Sequence, residues 1–266
     1  MTEPTDTSSV QAAPEYDIDG FKAVLASPTY GPINPVTNKY ARVAIMFASN
    51  RGLLWVGDGS MDRMGYGASR NASVQYALDK GYEADGIIWI DSDIKPEVDS
   101  IARLVHTVRQ NSFDFLSGVY FQREGVHNPV FHGWNPDMHC FQPAESYPPN
   151  TLGMAAGCGF GFVYTSLDMI RKITVSDAFD PKTGWFPDRR DTGGFGEDLT
   201  FCWMAKEAGF QLWVDTGIMV EHEANAIYIG ESDFKREQEK WIKENKDQKQ
   251  VMWGIGNNGQ KMGTSQ

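Results

Sequence analysis

Two acidic residues follow directly after a run of large apolar residues in the stretch IIWIDSD, residues 87–93. The run is typical of a buried strand, and Asp91 and Asp93 stand where it ends. Side chains at positions i and i+2 of an extended chain point the same way, so we expect the two carboxylates to lie together. Such a pair can hold a hard cation such as Mg²⁺ or Mn²⁺, with positions left for phosphate oxygens. The alternative is a solvated turn in which Asp93 caps the next helix.

A second acidic pair lies in GFGEDLTFC, where Glu197 and Asp198 fall in the first turn of a predicted helix. The positive end of the helix dipole favours ionised carboxylates at this position. A carboxylate that stays ionised at the mouth of a site can act as a general base. Ordinary helix starts carry the same residue types, so the pattern alone leaves both interpretations open.

Three further kinds of residue could complete a site. His222 follows the strand-like run GIMV and could bind a metal through a neutral imidazole if it meets the aspartates in space. Arg70 and Asn71 stand at the start of a predicted helix, where a guanidinium and free N–H groups can receive a diphosphate. Trp185 and Phe186 lie in a loop and offer faces for a sugar. The alternatives are a structural histidine, a surface arginine and core aromatic residues.

The composition is that of a soluble globular protein, and it disfavours two kinds of partner. No stretch approaches the roughly 18 consecutive apolar residues that a membrane helix needs, and the N-terminus does not resemble a signal peptide. The formal net charge of −11 disfavours a protein that holds duplex nucleic acid by its phosphates, although a local basic channel is still compatible with it. The three cysteines are far apart and odd in number, which predicts reduced thiols and a cytoplasmic location.

Strand and helix patterns alternate in the first half of the chain. The predicted order is a strand at 40–49, a glycine-rich loop at 51–69, a helix at 69–81, a strand at 85–90, a helix at 96–111 and a strand at 113–121. This alternation indicates an α/β fold with a mostly parallel central sheet flanked by helices. Ligands bind beyond the carboxyl ends of the strands in such sheets, and Asp91 and Asp93 stand at one of these ends.

The second half of the chain is less regular. We predict a loop-rich stretch at 122–153, a strand and helix at 157–173, a helix between Gly196 and Gly209, two short strands around a turn at 211–224 and a charged helix at 231–248. We expect a disordered lead-in at 1–18, one domain at 19–230, and a C-terminal helix and tail at 231–266.

Taken in order, these segments resemble a glycosyltransferase of the GT-A type, closest to the family-2-like enzymes. SRNASVQYAL resembles the Arg-Asn helix start of the family, and IIWIDSDI resembles its Asp-x-Asp metal motif. GCGFGFVYTSLDMI resembles the glycine-rich strand on its acceptor side. The most specific likeness is GEDLTFCWMAKEAGFQLWVDTGIMVEH, which combines the acidic pair, the following strand and the closing histidine. The likeness runs from about Ala41 to Ala224.

The resemblance implies transfer of a sugar from a nucleotide-sugar donor, by expectation a UDP-sugar, to an acceptor hydroxyl. A divalent metal, Mn²⁺ or Mg²⁺, would bridge the donor diphosphate. By that resemblance Asp91, Asp93 and His222 would hold the metal. Asp198, with Glu197 as the alternate, would take the proton from the acceptor in an inverting reaction.

The resemblance also implies the substrate contacts of a single GT-A domain with a loop-rich acceptor side. The donor-binding residues would be Ser49, at the end of the first strand, with Arg70, Asn71, Asp91, Ser92 and Asp93. The acceptor-binding residues would be Trp185, Phe186 and Gly159. The acid that reads the nucleobase could be Asp58 or Asp62. The acceptor could be a glycan, a small molecule or a modified nucleic-acid base.

Two other functions stay open on the sequence. A phosphatase of the haloacid-dehalogenase type also has an apolar strand that ends in Asp-x-Asp. Its nucleophilic aspartate belongs to the first strand of the core, whereas a strand and a helix are predicted before Asp91. A sugar-binding module could use the same metal cleft without turnover, and the acidic pair at 197–198 argues against it.

Overall fold

The computed structural model describes residues 15–29, 33–62, 64–79, 83–123, 125–224 and 227–244. The strands within these residues are β1 (Lys22–Ala26), β2 (Leu54–Asp58), β3 (Gly86–Ile90), β4 (Ile94–Lys95), β5 (Phe115–Val119), β6 (Phe131–Asn135), β7 (Cys140–Pro143), β8 (Leu152–Ala155), β9 (Gly157–Cys158), β10 (Phe162–Ser166), β11 (Leu212–Met219), β12 (Glu221–Ala224) and β13 (Ile227–Ile229). The α-helices are α1 (Pro35–Ser49), α2 (Tyr66–Asp79), α3 (Ser100–Asn111), α4 (Leu167–Thr174), α5 (Glu197–Glu207) and α6 (Glu231–Glu244).

A seven-stranded sheet with the order β2-β1-β3-β10-β5-β11-β8 forms the centre of the fold. β1 pairs in parallel with β2 and β3, and β11 pairs in parallel with β5. β10 lies between β3 and β5 and is antiparallel to both, so β3 and β5 run in the same direction. β8 at one edge is antiparallel to β11. The predicted fold class, an α/β domain with a mostly parallel central sheet flanked by helices, is confirmed.

β3 is buried along its whole length because helices cover both faces of the sheet. Ile87 and Trp89 point into a core that they share with residues of α2, α4 and α5. Ile88 and Ile90 point into a second core, which they share with residues of α1 and α3. Burial on both faces explains the unbroken apolar run, and it fixes the place at which the acidic residues leave the sheet.

Residues 40–49 belong to a helix, so the predicted first strand is wrong. The side-chain oxygen of Asn34 accepts a hydrogen bond from the N–H of Val36 at 2.8 Å, and a proline occupies the first helical position. The buried residues Ala44 and Ala48 lie four positions apart, which is a helical spacing. The first strand of the fold is β1, which lies upstream of this helix.

Several other boundaries differ from the prediction. The stretch 51–69 is not a continuous loop, because it contains the edge strand β2 and the first turn of α2. α2 begins at Tyr66, so Arg70 lies one turn inside the helix. α3 begins at Ser100 and not at Pro96, since β4 and a turn precede it.

Two three-stranded sheets complete the fold. The sheet β13-β12-β4 pairs His222 with Ile94, which brings the predicted histidine next to the residues that follow β3. The sheet β7-β6-β9 takes up part of 122–153, so this stretch is more regular than predicted. The stretch 211–224 contains two strands, as predicted, but β11 is eight residues long and only Val220 separates it from β12.

The two ends of the described chain are only partly as expected. Residues 15–18 do not belong to a disordered lead-in, since Ile18 is completely buried. The predicted C-terminal helix is confirmed as far as Glu244. The remaining parts of the predicted lead-in and tail, 1–14 and 245–266, lie outside the described residues. The three cysteines are free, as predicted. None of the helices in the described residues is long and apolar enough to cross a membrane.

Candidate functional site

Arg70 lies at the centre of the candidate site. Its side chain projects from α2 and is 3% exposed. Nη2 of Arg70 lies 2.9 Å from Asp91 Oδ2, and Nη1 lies 2.8 Å from Asp198 Oδ1 and 3.2 Å from Glu197 Oε1. One guanidinium therefore joins the chain just after β3 to the first turn of α5 and brings three predicted site residues to one point.

Burial controls the protonation of the carboxyl groups around Arg70. It raises the pKa of Asp91, while the attraction of Arg70 acts in the opposite direction. It also raises the pKa of Asp198 to about 7, again against the attraction of Arg70. Burial works against the charge on Arg70 itself, but the three carboxylates outweigh it and the net effect raises the pKa of Arg70. Asp198 therefore exchanges its proton near neutral pH beside a permanent positive charge.

The start of α5 holds the acidic pair, as predicted. Gly196 is the N-cap residue, and Glu197 and Asp198 lie in the first turn. The N–H of Phe160 donates to Asp198 Oδ2 at 3.3 Å. The helix dipole and this backbone N–H both favour the ionised carboxylate, and they oppose the larger effect of burial.

Asp91 and Asp93 lie in a turn and not in an extended strand, so the premise that their side chains point the same way is wrong. β3 ends just before Asp91, and the N–H of Ile94 donates to the carbonyl oxygen of Asp91 at 3.0 Å. The Asp91 carboxylate faces Arg70, whereas the Asp93 carboxylate pairs with Arg123.

His222 meets Asp93, and Arg123 contacts both. His222 Nε2 lies 3.6 Å from Asp93 Oδ2 and accepts a hydrogen bond of 2.9 Å from Arg123 Nε. His222 Nδ1 lies 2.8 Å from the carbonyl oxygen of Phe121. These contacts require the tautomer with its proton on Nδ1, and burial lowers the pKa of His222. The ring is therefore neutral at pH 7 and carries its lone pair on Nε2.

The predicted metal site at Asp91, Asp93 and His222 is not assembled. Within the described ranges, no group of three or more His, Cys, Asp or Glu side chains is arranged to hold a metal ion. Two observations nevertheless fit a cation. Asp93 Oδ1 is buried and has no hydrogen-bond partner among the described residues, and the lone pair of His222 lies nearby. A carboxylate oxygen and an imidazole nitrogen are ligand types found at divalent transition-metal sites. These two side chains therefore suit such an ion, provided that Arg123 moves.

The two aromatic residues predicted to stack on an acceptor belong to the core. Trp185 is 6% and Phe186 is 1% exposed, so neither ring presents a free face to a sugar. Trp185 Nε1 donates to Thr174 Oγ1 at 3.0 Å, and the Phe186 ring stacks on Phe201 of α5 at 4.7 Å. The prediction failed because loop position in the sequence does not show whether a side chain points inward.

A neighbouring tyrosine fills the space that Gly159 leaves by lacking a side chain, so this space is not open to an acceptor. A Cβ atom there would lie 2.3 Å from the hydroxyl of Tyr120. That hydroxyl accepts a hydrogen bond of 2.9 Å from the N–H of Gly161. The glycine-rich stretch thus lets Tyr120 pass beneath it toward the site.

Asn71 holds a loop, although we predicted that it binds the donor. Its Oδ1 accepts hydrogen bonds from the N–H groups of Trp185 at 2.8 Å and Phe186 at 2.9 Å. Its Nδ2 donates to the carbonyl oxygen of Thr183 at 3.0 Å. The polar atoms of this amide are therefore engaged within the protein.

Ser49 is not at the end of the first strand. It is the last residue of α1, and its hydroxyl donates to the carbonyl oxygen of Ile45 at 2.8 Å. It precedes the amino end of β2, which is parallel to β1 and β3, so it lies at the opposite edge of the sheet from Asp91. Ser92 is half-buried in the turn between the two aspartates.

The residues that follow β5 were not among the predicted site residues. Tyr120, Gln122 and Arg123 all line the same open cleft, which contains about 930 Å³ of empty space. The other lining residues are Tyr66, Arg70, Asp91, Val130, Glu197, Asp198 and His222. The rule that ligands bind beyond the carboxyl ends of parallel strands could have identified these three residues, because β5 is parallel to β3.

Comparison with known proteins supports the fold. No protein-family model matches the chain, and no curated protein matches it in sequence. The chain is similar to A197 from STIV, with 16% identity and a TM-score of 0.52 over 80% of this chain and 92% of that one. At this identity the likeness shows a shared fold alone.

Two other similar structures are those of glycosyltransferases, with TM-scores below 0.5. GalNAc-T7 with UDP, GalNAc and Mn²⁺ has 11% identity and a TM-score of 0.45, over 85% of this chain and 49% of that one. The catalytic domain of Drosophila β1,4-galactosyltransferase 7 with xylobiose has 18% identity and a TM-score of 0.44, over 77% of this chain and 71% of that one.

Proposed function

We propose that the chain is a metal-dependent glycosyltransferase of the GT-A type, which transfers a sugar from a nucleotide-sugar donor to an acceptor hydroxyl. The observation that carries the proposal is the meeting of Asp91, Asp93, Asp198 and His222 in or beside one cleft at the carboxyl edge of the sheet. These residues come from separate parts of the chain, and they are the ones that the sequence resemblance assigns to the metal and the base.

Asp198 is the proposed base, with Glu197 as the alternate. A general base works best when its pKa lies near the working pH, and the pKa of Asp198 is about 7. In the proposed reaction Asp198 takes the proton from the acceptor hydroxyl as that oxygen attacks the anomeric carbon of the sugar. Attack by the activated acceptor from the face opposite the leaving group inverts the configuration.

Asp93 and His222 are the proposed holders of a divalent cation, Mn²⁺ or Mg²⁺, with Asp91 as a third ligand. Such a cation, when bound, neutralises the negative charge that develops on the departing nucleoside diphosphate. Arg123 would leave Asp93 and turn toward the donor phosphates, to which a planar guanidinium can donate two parallel hydrogen bonds. Arg123 is 45% exposed in its side chain and so has room for that movement.

The proposed donor is a UDP-sugar, and the proposed acceptor is a glycan, a small molecule or a modified nucleic-acid base. Asp58 ends β2 at the same sheet edge as Asp91, and Asp62 follows at that edge, where it pairs with Thr29 beyond β1, so both acids stay candidates for reading the nucleobase.

The test is a panel of UDP- and GDP-linked sugars incubated with the protein in Mn²⁺, in Mg²⁺ and in EDTA, with release of nucleoside diphosphate as the readout. We expect metal-dependent release from one donor, and its loss in Asp93→Asn and Asp198→Asn. The matched control is Asp168→Asn, because Asp168 is an exposed residue of α4 that pairs with Lys172 away from the cleft.

Full activity of Asp93→Asn in the presence of metal would contradict the metal assignment. Hydrolysis of p-nitrophenyl phosphate, without release of nucleoside diphosphate from any donor, would favour the phosphatase. Metal-dependent binding of a donor without turnover, with any acceptor class, would favour the sugar-binding module.

A further inference from the structure

We propose that Arg70 is a positioning residue that fixes the base Asp198 relative to the turn after β3, and that it does not bind the donor diphosphate. This inference rests on the proposed function. It assigns to Arg70 a role different from the one that the sequence resemblance implies.

The terminal nitrogens of Arg70 are already engaged by carboxylates. Nη2 donates to both oxygens of Asp91, at 3.2 and 2.9 Å. Nη1 donates to Glu197 at 3.2 Å and forms an ion pair of 2.8 Å with Asp198. The remaining donor, Nε, is buried and has no partner among the described residues. A phosphate group could therefore bind the two terminal nitrogens only by displacing carboxylates from them.

The surroundings of the guanidinium also disfavour a diphosphate. The ring centroids of Phe160 and Phe186 lie 5.8 and 5.9 Å from its central carbon, and these rings pack against each other at 4.9 Å. Three carboxyl groups surround one positive charge, so the guanidinium offers no excess positive charge to attract an anionic ligand. Arg123, which is far more exposed, is the better candidate for contact with the donor phosphates.

The contacts of Arg70 join two elements that must act together. Asp91 follows β3, whereas Asp198 lies at the start of α5, and the guanidinium connects them. Asn71, the next residue of α2, holds the loop before α5 through its bonds to the N–H groups of Trp185 and Phe186. Two adjacent side chains of one helix therefore place the proposed base relative to the proposed metal side of the cleft.

The test compares Arg70→Lys and Arg70→Ala with the wild-type protein in the full chain. The readouts are kcat and the KM for the donor found in the panel, and the Kd for UDP in the presence of Mn²⁺ by calorimetry. A lysine keeps one positive charge but cannot reach all three carboxylates as the planar fork does. We expect kcat to fall about 10- to 100-fold in Arg70→Lys, since a misplacement of about 1 Å can cost that much. The donor KM and the Kd for UDP should stay within about threefold, because the donor phosphates are held elsewhere.

Chemical rescue separates positioning from a general loss of structure. Added guanidinium at low millimolar concentration should restore part of kcat in Arg70→Ala, because the small cation can occupy the vacated place between the carboxylates. Arg236→Lys is the matched control, since Arg236 is exposed on α6 and pairs with Asp233 away from the cleft. If Arg70→Ala does not fold, as judged by circular dichroism, Arg70→Lys and Arg70→Gln are compared with the wild-type protein instead.

The outcomes distinguish this inference from the proposed function. A rise of tenfold or more in the Kd for UDP with unchanged kcat would make Arg70 a donor-binding residue and overturn the inference alone. A kcat of Arg70→Lys equal to that of an active wild-type protein would also overturn it alone. A wild-type protein that binds no UDP and releases no nucleoside diphosphate from any donor would overturn the proposed function and this inference with it.

Discussion

Arg123 donates a hydrogen bond of 2.9 Å from Nε to Nε2 of His222. That nitrogen carries the lone pair through which a neutral histidine binds a metal. The same guanidinium pairs with Asp93, the other side chain that suits a cation. Arg123 therefore occupies ligand atoms of both side chains and would compete with a bound ion for them.

Removal of this competitor should strengthen metal binding. In Arg123→Ala the ligand atoms of Asp93 and His222 are free, so we expect the Kd for Mn²⁺, measured by calorimetry without donor, to fall about 3- to 10-fold, which corresponds to about 1 kcal/mol. Arg236→Ala, at an exposed arginine of α6 outside the cleft lining, should leave it unchanged. Weaker Mn²⁺ binding in Arg123→Ala would show that the arginine supports the site and does not compete for it.

The activity should depend on pH through Asp198. Because burial raises its pKa to about 7, we expect kcat/KM to rise with pH through that value and to level off above it. A profile that is flat from about pH 5 to 9 would exclude Asp198 as the titrating base.

The raised pKa of Asp198 also predicts whether the stability of the protein rises or falls with pH. The pKa of Asp198 is raised in the folded state from 3.8, so its contribution to stability is fully present below pH 3.8 and is lost as the pH rises through about 7. Asp198→Asn lacks this titration. We therefore expect the wild-type Tm, relative to that of Asp198→Asn, to fall between about pH 4 and pH 7 and to level off above that. A constant difference in Tm would contradict the raised pKa.

Gly86 is a position at which a single methyl group should destabilise the sheet. A Cβ there would lie 2.3 Å from the carbonyl oxygen of Thr165 on β10 and 2.5 Å from the Tyr164 ring. We expect Gly86→Ala to lower the free energy of unfolding in urea by about 3 kcal/mol or more, because backbone cannot move aside as a flexible side chain can. Gly133→Ala on β6, where a Cβ meets nothing within 4 Å, is the matched control.

Phe186 should matter for stability and only indirectly for substrate binding. Its ring contacts Trp89, Phe160 and Phe201, with centroid distances between 4.7 and 5.5 Å. We expect Phe186→Ala to lower the free energy of unfolding by about 3–5 kcal/mol. Val175→Ala should have almost no effect, since Val175 is 84% exposed. If Phe186→Ala leaves the stability unchanged and raises the acceptor KM, the result would instead support the predicted stacking of Phe186 on the acceptor.

Much of the site could be predicted because its residue types follow strong local signals. The buried strand before Asp91 and the helix start at Glu197 and Asp198 both lie where the sequence places them. The unbroken apolar run of β3 can hardly lie anywhere except in a covered sheet. Residues 40–49 were wrongly predicted as a strand because the run is rich in residues that suit either a buried strand or a helix. The signals of a helix start, the N-capping Asn34 and the proline after it, lie outside that run.

The sequence by itself determined the fold class and the identity of most of the acidic residues that meet in the cleft, because periodicity and helix-start signals act over only a few positions. The tertiary structure alone decided which of those residues touch. Asp91 pairs with an arginine from α2, Asp93 and His222 meet across the pairing of β12 with β4, and Trp185 and Phe186 turn into the core. These contacts join distant parts of the chain, and no local pattern encodes them, because they arise from the packing of whole strands and helices against each other.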